Sequence, residues 1–202
     1  MKKQIGVRKH FFITLALVVF VSSHLSANSP KKSIQDRSQE IEQTFQTKIN
    51  ELESRLKVII EAEQRNKPQT ESYKGSGYEH YISQFESKKE SAKNLSKHHS
   101  QYKQESIAKA KEVAKAHNAE NELSVLMENI GKISSEFASK IKHAKADLRT
   151  QSLHTNNKNS AKSIYKEKIE WILQSFENEL NEIISEAYNA FSGHLASIYD
   201  KK

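Results

Sequence analysis

Seven histidines lie beyond residue 27, and a metal or acid–base site would draw on them first: His80, His98, His99, His117, His143, His154 and His194. A helix offers two ligands to one ion when they stand three or four residues apart, as in His-Glu-x-x-His. No two of these histidines have that spacing, and no Glu-x-x-His pair of the di-iron bundle type occurs. His117 with Glu120 makes one i, i+3 pair. The set therefore reads as solvated imidazoles on helix surfaces, with no metal and no cofactor expected. Nucleophilic chemistry is equally poorly served. Serines are plentiful, but none sits in a Gly-x-Ser-x-Gly elbow, and the companion motifs that would give meaning to a Ser-x-x-Lys sequence are absent. Ser160 to Ser163 reads as a helix start, where hydroxyls cap unpaired N–H groups. The chain has no cysteine, which excludes thiol catalysis, zinc knuckles, iron–sulfur clusters and lipid attachment at a cysteine. The Gly75-Ser76-Gly77 turn lacks the spacing and the Lys-Ser/Thr ending of a phosphate loop. A non-enzymatic protein is expected.

Two other groups of residues could make contacts. The first is a basic face, Lys88, Lys89, Lys93, Lys97 and Lys103, within a stretch that runs on to Lys109, Lys111 and Lys115. It could meet lipid headgroups, lipopolysaccharide, a polyanionic glycan or another acidic surface. Glu86, Glu90, Glu105 and Glu112 interrupt it, and its apolar face is mostly alanine, which argues against insertion into a membrane. A solvated or internally paired face is the competing reading. The second group is Tyr73, Tyr78 and Tyr81 around the glycine turn. They form either a contact loop or the first packed residues of a helix. Trp171, the only tryptophan, falls beside an apolar stripe and reads as a residue at the edge of a bundle.

The elements that must position these groups are helices. Five glycines and two prolines in 202 residues are too few for sheets joined by tight turns. Phe45, Ile49, Leu52, Leu56 and Ile59 step by four and three residues, a coiled-coil-like stripe that ends before Pro68. A second helix from about Tyr78 carries Tyr81, Ile82 and Phe85. It then thins to Ala92, Leu95, Tyr102, Ile107, Ala110 and Val113, enough to pack on one neighbour or to project. A third face comprises Leu123, Met127, Ile130, Phe137, Ile141, Ala144 and Leu148, and Asn118 stands before it as a candidate N-cap or kink. Thr150 to Ser160 reads as a polar loop. The last helix is the richest, from Ile169 through Ile172, Leu173, Phe176, Leu180, Ile183, Ile184, Ala187, Phe191 and Leu195 to Ile198. Its doubled apolar positions predict two or more neighbours. The expectation is an all-α, elongated three- or four-helix bundle, with helices at about 33–66, 78–117, 119–149 and 161–199. From Glu170 onward the last helix is acidic, so it is expected to lie beside the lysine-rich helix and pair with it across their flanks.

Residues 1–27 form a separate unit. Lys2, Lys3, Arg8 and Lys9 precede an apolar run from Phe11 to Val21, interrupted by Thr14 alone, and then a serine-containing stretch ending at Ala27. This is the order of a secretory signal peptide, with Ala27 or Ser23 before the cut and residues 28–32 a short linker. An uncleaved anchor would need a run of roughly 20 apolar residues. Cleavage removes four basic and no acidic side chains, lowering the formal charge from +7 to +3. That remainder disfavours nucleic acid as a partner.

The expected function is accordingly that of an exported, non-enzymatic helical interaction protein of a Gram-negative-type envelope, acting in the periplasm, at the cell surface or after secretion. Its partners would be proteins, including a second copy of itself, with no membrane span after cleavage. In outline alone (export, no cysteine, helices, length) the chain resembles the helical minor pilus-tip subunits of type IV secretion systems. No motif carries the likeness. Two alternatives are a periplasmic holdase chaperone and a polyanion or nucleic-acid binder using the lysine-rich helix.

Overall fold

A computed structural model describes residues 32–65, 77–153 and 159–199, with side chains described over 32–65, 87–149 and 165–199. The proposed signal, Tyr73 and the glycine turn lie outside these residues, except that Gly77 opens a helix. Four helices account for nearly all of it: α1 Ile34–Arg65, α2 Gly77–Ala116, α3 Glu120–Leu153 and α4 Asn159–Tyr199. There is no strand among the described residues. The all-α bundle follows as expected, and α4, with 41 residues, runs about 60 Å.

Local chemistry sets the ends. The α1 start is a reciprocal cap: the Asp36 N–H donates to Ser33 Oγ at 3.0 Å, while the Ser33 N–H and hydroxyl donate to Asp36 Oδ2 at 3.3 and 2.7 Å. Asn118 is not an N-cap. It occupies the left-handed region at φ 53°, with the Ala119 N–H donating to the Ala114 carbonyl at 2.9 Å and its own N–H to Lys115 at 3.5 Å. That is a Schellman stop to α2, for which asparagine is the best residue after glycine because its short polar side chain tolerates positive φ. The expected polar loop is also shorter than Thr150–Ser160, because α3 continues to Leu153 and α4 begins at Asn159. Asparagine and threonine cost only tenths of a kcal/mol per residue in a helix, roughly, and a helix many turns long absorbs that.

Side-chain pairs fix the directions. Glu42 accepts from Asn129 at 2.8 Å and Glu53 pairs with Lys140, both offset by 87 residues, so α1 and α3 run parallel. Lys48–Glu186, Arg55–Glu179 and Lys168–Glu63 descend on one helix as they climb on the other, so α4 runs antiparallel to α1. Ser96–Gln174 and Ser106–Asn189 make α2 parallel to α4. α4 touches all three other helices, whereas α1 and α2 do not meet among the described residues.

The buried apolar core belongs mainly to α1, α3 and α4. Phe45, Leu52, Leu126, Ile130, Phe137, Ile141, Phe176, Phe191 and Leu195 are each at most 2% exposed. Among the described residues of α2, Ala110 and Ala114 are fully buried in that core, and Ile107 and Val113 pack against it half-buried. The first described half of α2 turns differently from the expected stripe. Leu95 is 50% and Tyr102 39% exposed, while Ser106 is buried.

Candidate functional site

The seam that holds α2 to α4 explains this rotation. α4 presents amides on this side, not aliphatic side chains. Gln174 Nε2 donates to Ser96 Oγ and to Glu177 Oε2, each at 3.0 Å, and lies 3.4 Å from Asn178 Oδ1. Asn189 Nδ2 donates to the Tyr102 hydroxyl at 3.0 Å and to Ser106 Oγ at 3.1 Å. These half-buried amides find their partners in Ser96, Tyr102 and Ser106, so α2 turns those serines toward α4 and leaves Leu95 to solvent. Farther along, Ala110 and Ala114 let the helices approach closely, and the seam ends where His117 stacks on Tyr199.

Beside this seam lies an open trough of about 600 Å³ between α2 and α4. Its α2 wall runs from Lys89 to Gln104, about 22 Å along the axis. Ala92, Ser96 and Ser100 stand at successive four-residue steps, with Lys93 and Lys97 one residue after the first two and Lys89 nearly one turn before Ala92. The α4 wall consists of Glu167, Glu170, Trp171 and Gln174. Trp171 stands at the edge of the bundle, as expected, 36% exposed and lining the trough.

The trough gathers three of the five lysines of the candidate basic face, Lys89, Lys93 and Lys97. Lys88 is exposed and Lys103 half-buried, and neither lines it. Tyr78 and Tyr81 belong to the first turns of α2. The expected pairing of the basic and acidic helices does not occur in the predicted form. The carboxylates of Glu179 and Glu186 on α4 are taken by Arg55 and Lys48 of α1. Arg55 grips Glu179 through both guanidinium nitrogens, at 2.6 and 3.2 Å, and lies over the Phe176 ring. Of the candidate lysines only Lys89 approaches an α4 carboxylate, Glu167, at 3.9 Å. Lys88, Lys93, Lys97 and Lys103 reach no carboxylate among the described residues. In the rotation that the polar seam accompanies, Lys93 and Lys97 line the trough without reaching Glu167 or Glu170 on its other wall.

The electrostatics of the trough follow. Burial pushes the Glu170 carboxyl upward, but the hydrogen bond from Arg149 and the charges of Lys145, Arg149 and Lys166 outweigh it and hold Glu170 below its ordinary range. Its negative charge is thus already matched. Elsewhere, Glu63 is a buried carboxylate that sequence reasoning missed. Lys168 donates to its Oε1 at 2.7 Å, and Tyr165 nearby is held above its ordinary range by burial first and by the Glu63 charge second. No group of three or more His, Asp or Glu side chains converges to hold a metal among the described residues. No helix among them is long and apolar enough to cross a membrane. Comparison with known proteins returns no match to any family model, curated protein or solved structure.

Proposed function

We propose that this chain is an exported, non-enzymatic interaction protein of a bacterial envelope, and that it meets its partner through the outer side of α2 and the trough beside it. One observation carries the reading: Lys88, Lys93, Lys97 and Lys103 spend none of their charge on the described carboxylates, while Glu179 and Glu186 of α4 are paired with α1. A bundle stabilised only for its own sake would gain by pairing them. Export rests on the charged, apolar and small-residue order of residues 2–27. A polyanion-binding role is the second reading, favoured by the same lysines. A place in a secretion pilus would be a particular form of the first, and a periplasmic holdase activity stands as a separate alternative.

Two measurements test it. Fractionation of expressing cells, with the N-terminus read by mass spectrometry, is expected to give a chain beginning near Asn28 outside the cytoplasm. An intact chain in the cytoplasm would overturn export. Capture from envelope extracts with the full protein is compared with a variant carrying K88E, K93E, K97E and K103E. A partner retained by the first and lost by the second supports α2 as the contact, and equal capture overturns it.

A further inference from the structure

We propose that the trough between α2 and α4 binds an acidic oligosaccharide, a short chain of sugar rings bearing carboxylate or sulfate groups. The inference rests on the interaction role proposed for α2 and narrows it to a class of ligand.

The trough has the dimensions of a ligand site. Its volume of about 600 Å³ lies inside the range of small-molecule clefts, roughly 300–1,000 Å³. Its α2 wall extends about 22 Å, a length that a chain of several rings would span. Trp171 supplies a flat, partly exposed aromatic surface on one wall, which suits the C–H face of a sugar ring. On the other wall Ser100, Gln101 and Gln104 offer hydroxyl and amide groups that both donate and accept, matching a row of sugar hydroxyls. Lys93 and Lys97 stand one helical turn apart with no described carboxylate between them, two cations placed for successive acid groups. The acids already in the trough do not oppose this charge: Glu167 faces Lys89 at 3.9 Å and Glu170 is paired with Arg149.

The same lining disfavours the other polyanions. A protein segment anchors by burying aromatic or aliphatic side chains in apolar pockets, and among the described residues lining the trough Ala92 and Trp171 are the apolar ones. Single-stranded nucleic acid uses several aromatic platforms for successive bases, and the described lining has one.

Trp171 is the sole tryptophan, so intrinsic fluorescence reports on the trough directly. The purified protein is titrated with tetragalacturonate and with a heparin-derived tetrasaccharide, which separate carboxylate from sulfate sugars. Maltotetraose, hexaglutamate and hexathymidylate serve as comparators. A saturable change with at least one acidic sugar, about tenfold tighter than with any comparator, is expected. Lys93→Ala with Lys97→Ala should weaken it by about tenfold with the helical circular dichroism unchanged. Trp171→Ala, read by calorimetry, should weaken it similarly. No saturable response to either acidic sugar, an equal response to hexaglutamate or hexathymidylate, or parent-like binding by the lysine variant would each overturn the proposal. Envelope capture that still depends on α2 in the absence of sugar binding would leave the interaction role standing and remove only the ligand class.

Discussion

The imidazole of His117 lies face to face with the phenol of Tyr199, ring centroids 4.1 Å apart and planes within 6°. The first residue beyond α2 is thereby joined to the last residue of α4. Such pairs contribute roughly 0.5–1.5 kcal/mol beyond area burial. A double-mutant cycle of His117→Ala and Tyr199→Ala, read by urea unfolding, is expected to return a coupling of that size. A coupling of zero would show that the rings only lie side by side.

Asn118 holds the left-handed conformation that stops α2. Asn118→Gly should leave stability unchanged or raise it by a few tenths of a kcal/mol, about the difference in cost of positive φ. Asn118→Val should lower it by about 1–2 kcal/mol. Chemical denaturation midpoints for the three proteins check the order.

Gly131 and Gly193 lie inside α3 and α4, and a Cβ at either would meet nothing within 4 Å. Gly131→Ala and Gly193→Ala are each expected to stabilise by roughly 0.5–1 kcal/mol, because alanine loses less backbone entropy on folding. A fall in melting temperature for either would contradict the open surroundings.

Phe137 and Phe176 are 1% exposed in the shared core, and truncating either to alanine should cost about 3–5 kcal/mol. Leu95→Ala, on the outer side of α2, should change stability by less than about 0.5 kcal/mol. Ala114→Leu should cost about 1–3 kcal/mol by forcing α2 from its neighbours. Hydrogen exchange after that change should show faster amide exchange in α2 than in α1 and α3.

Stability should fall at both ends of the pH scale, for different reasons. His194 is half-buried and held below its ordinary value by burial first, then by the Arg37 charge; a backbone contact with Ser33 and the Glu40 charge pull the other way, and Lys32 adds to the lowering. The fold therefore disfavours its proton. Its contribution is full above the unfolded value of about 6.5 and is lost as pH falls through it toward the folded one. Glu40 is held low mainly by hydrogen bonds from Arg37 and Lys32, against a smaller upward push from burial. With Glu170 it adds a second loss as pH falls below 4.5. Tyr188 is pushed by burial to about 12 from 10.0, so its neutral form is favoured and stability declines as pH rises between those values. Urea midpoints against pH should show all three limbs, and His194→Gln should remove only the limb nearest neutrality.

The helices were legible because their apolar spacing is dense. Phe45, Ile49, Leu52 and Leu56 are buried as their steps of four and three require, and so are Ile169, Leu173 and Phe176. The rotation of α2 was not legible. Leu95 and Tyr102 carry the strongest apolar signal in its middle, yet Ser106 faces inward because Asn189 on a distant helix demands partners. Apolar periodicity cannot register a seam made of amides and hydroxyls. The trough was half legible. The lysines were evident as a group, but that Trp171 faces them follows only from α2 and α4 running parallel, which no local pattern encodes. Glu63 escaped because a buried carboxylate differs from an exposed one only in its neighbours, Lys168 and Tyr165.

The parallel pairing of α1 with α3 and of α2 with α4 bears on how the chain reaches its fold. In an ordinary up-and-down bundle each new helix folds back on the one before it, and structure accumulates as the chain lengthens. Here α1 waits for α3 across an entire intervening helix, α2 waits for α4, and α1 and α3 gain their shared neighbour only when α4 arrives. Loop closure must come before the contacts that reward it, so assembly should be slow for a helical protein and nearly all-or-none. A chain truncated before α4 would keep the α1–α3 pair but lack the helix on which most of α2 packs. The last helix made is the one that completes the fold.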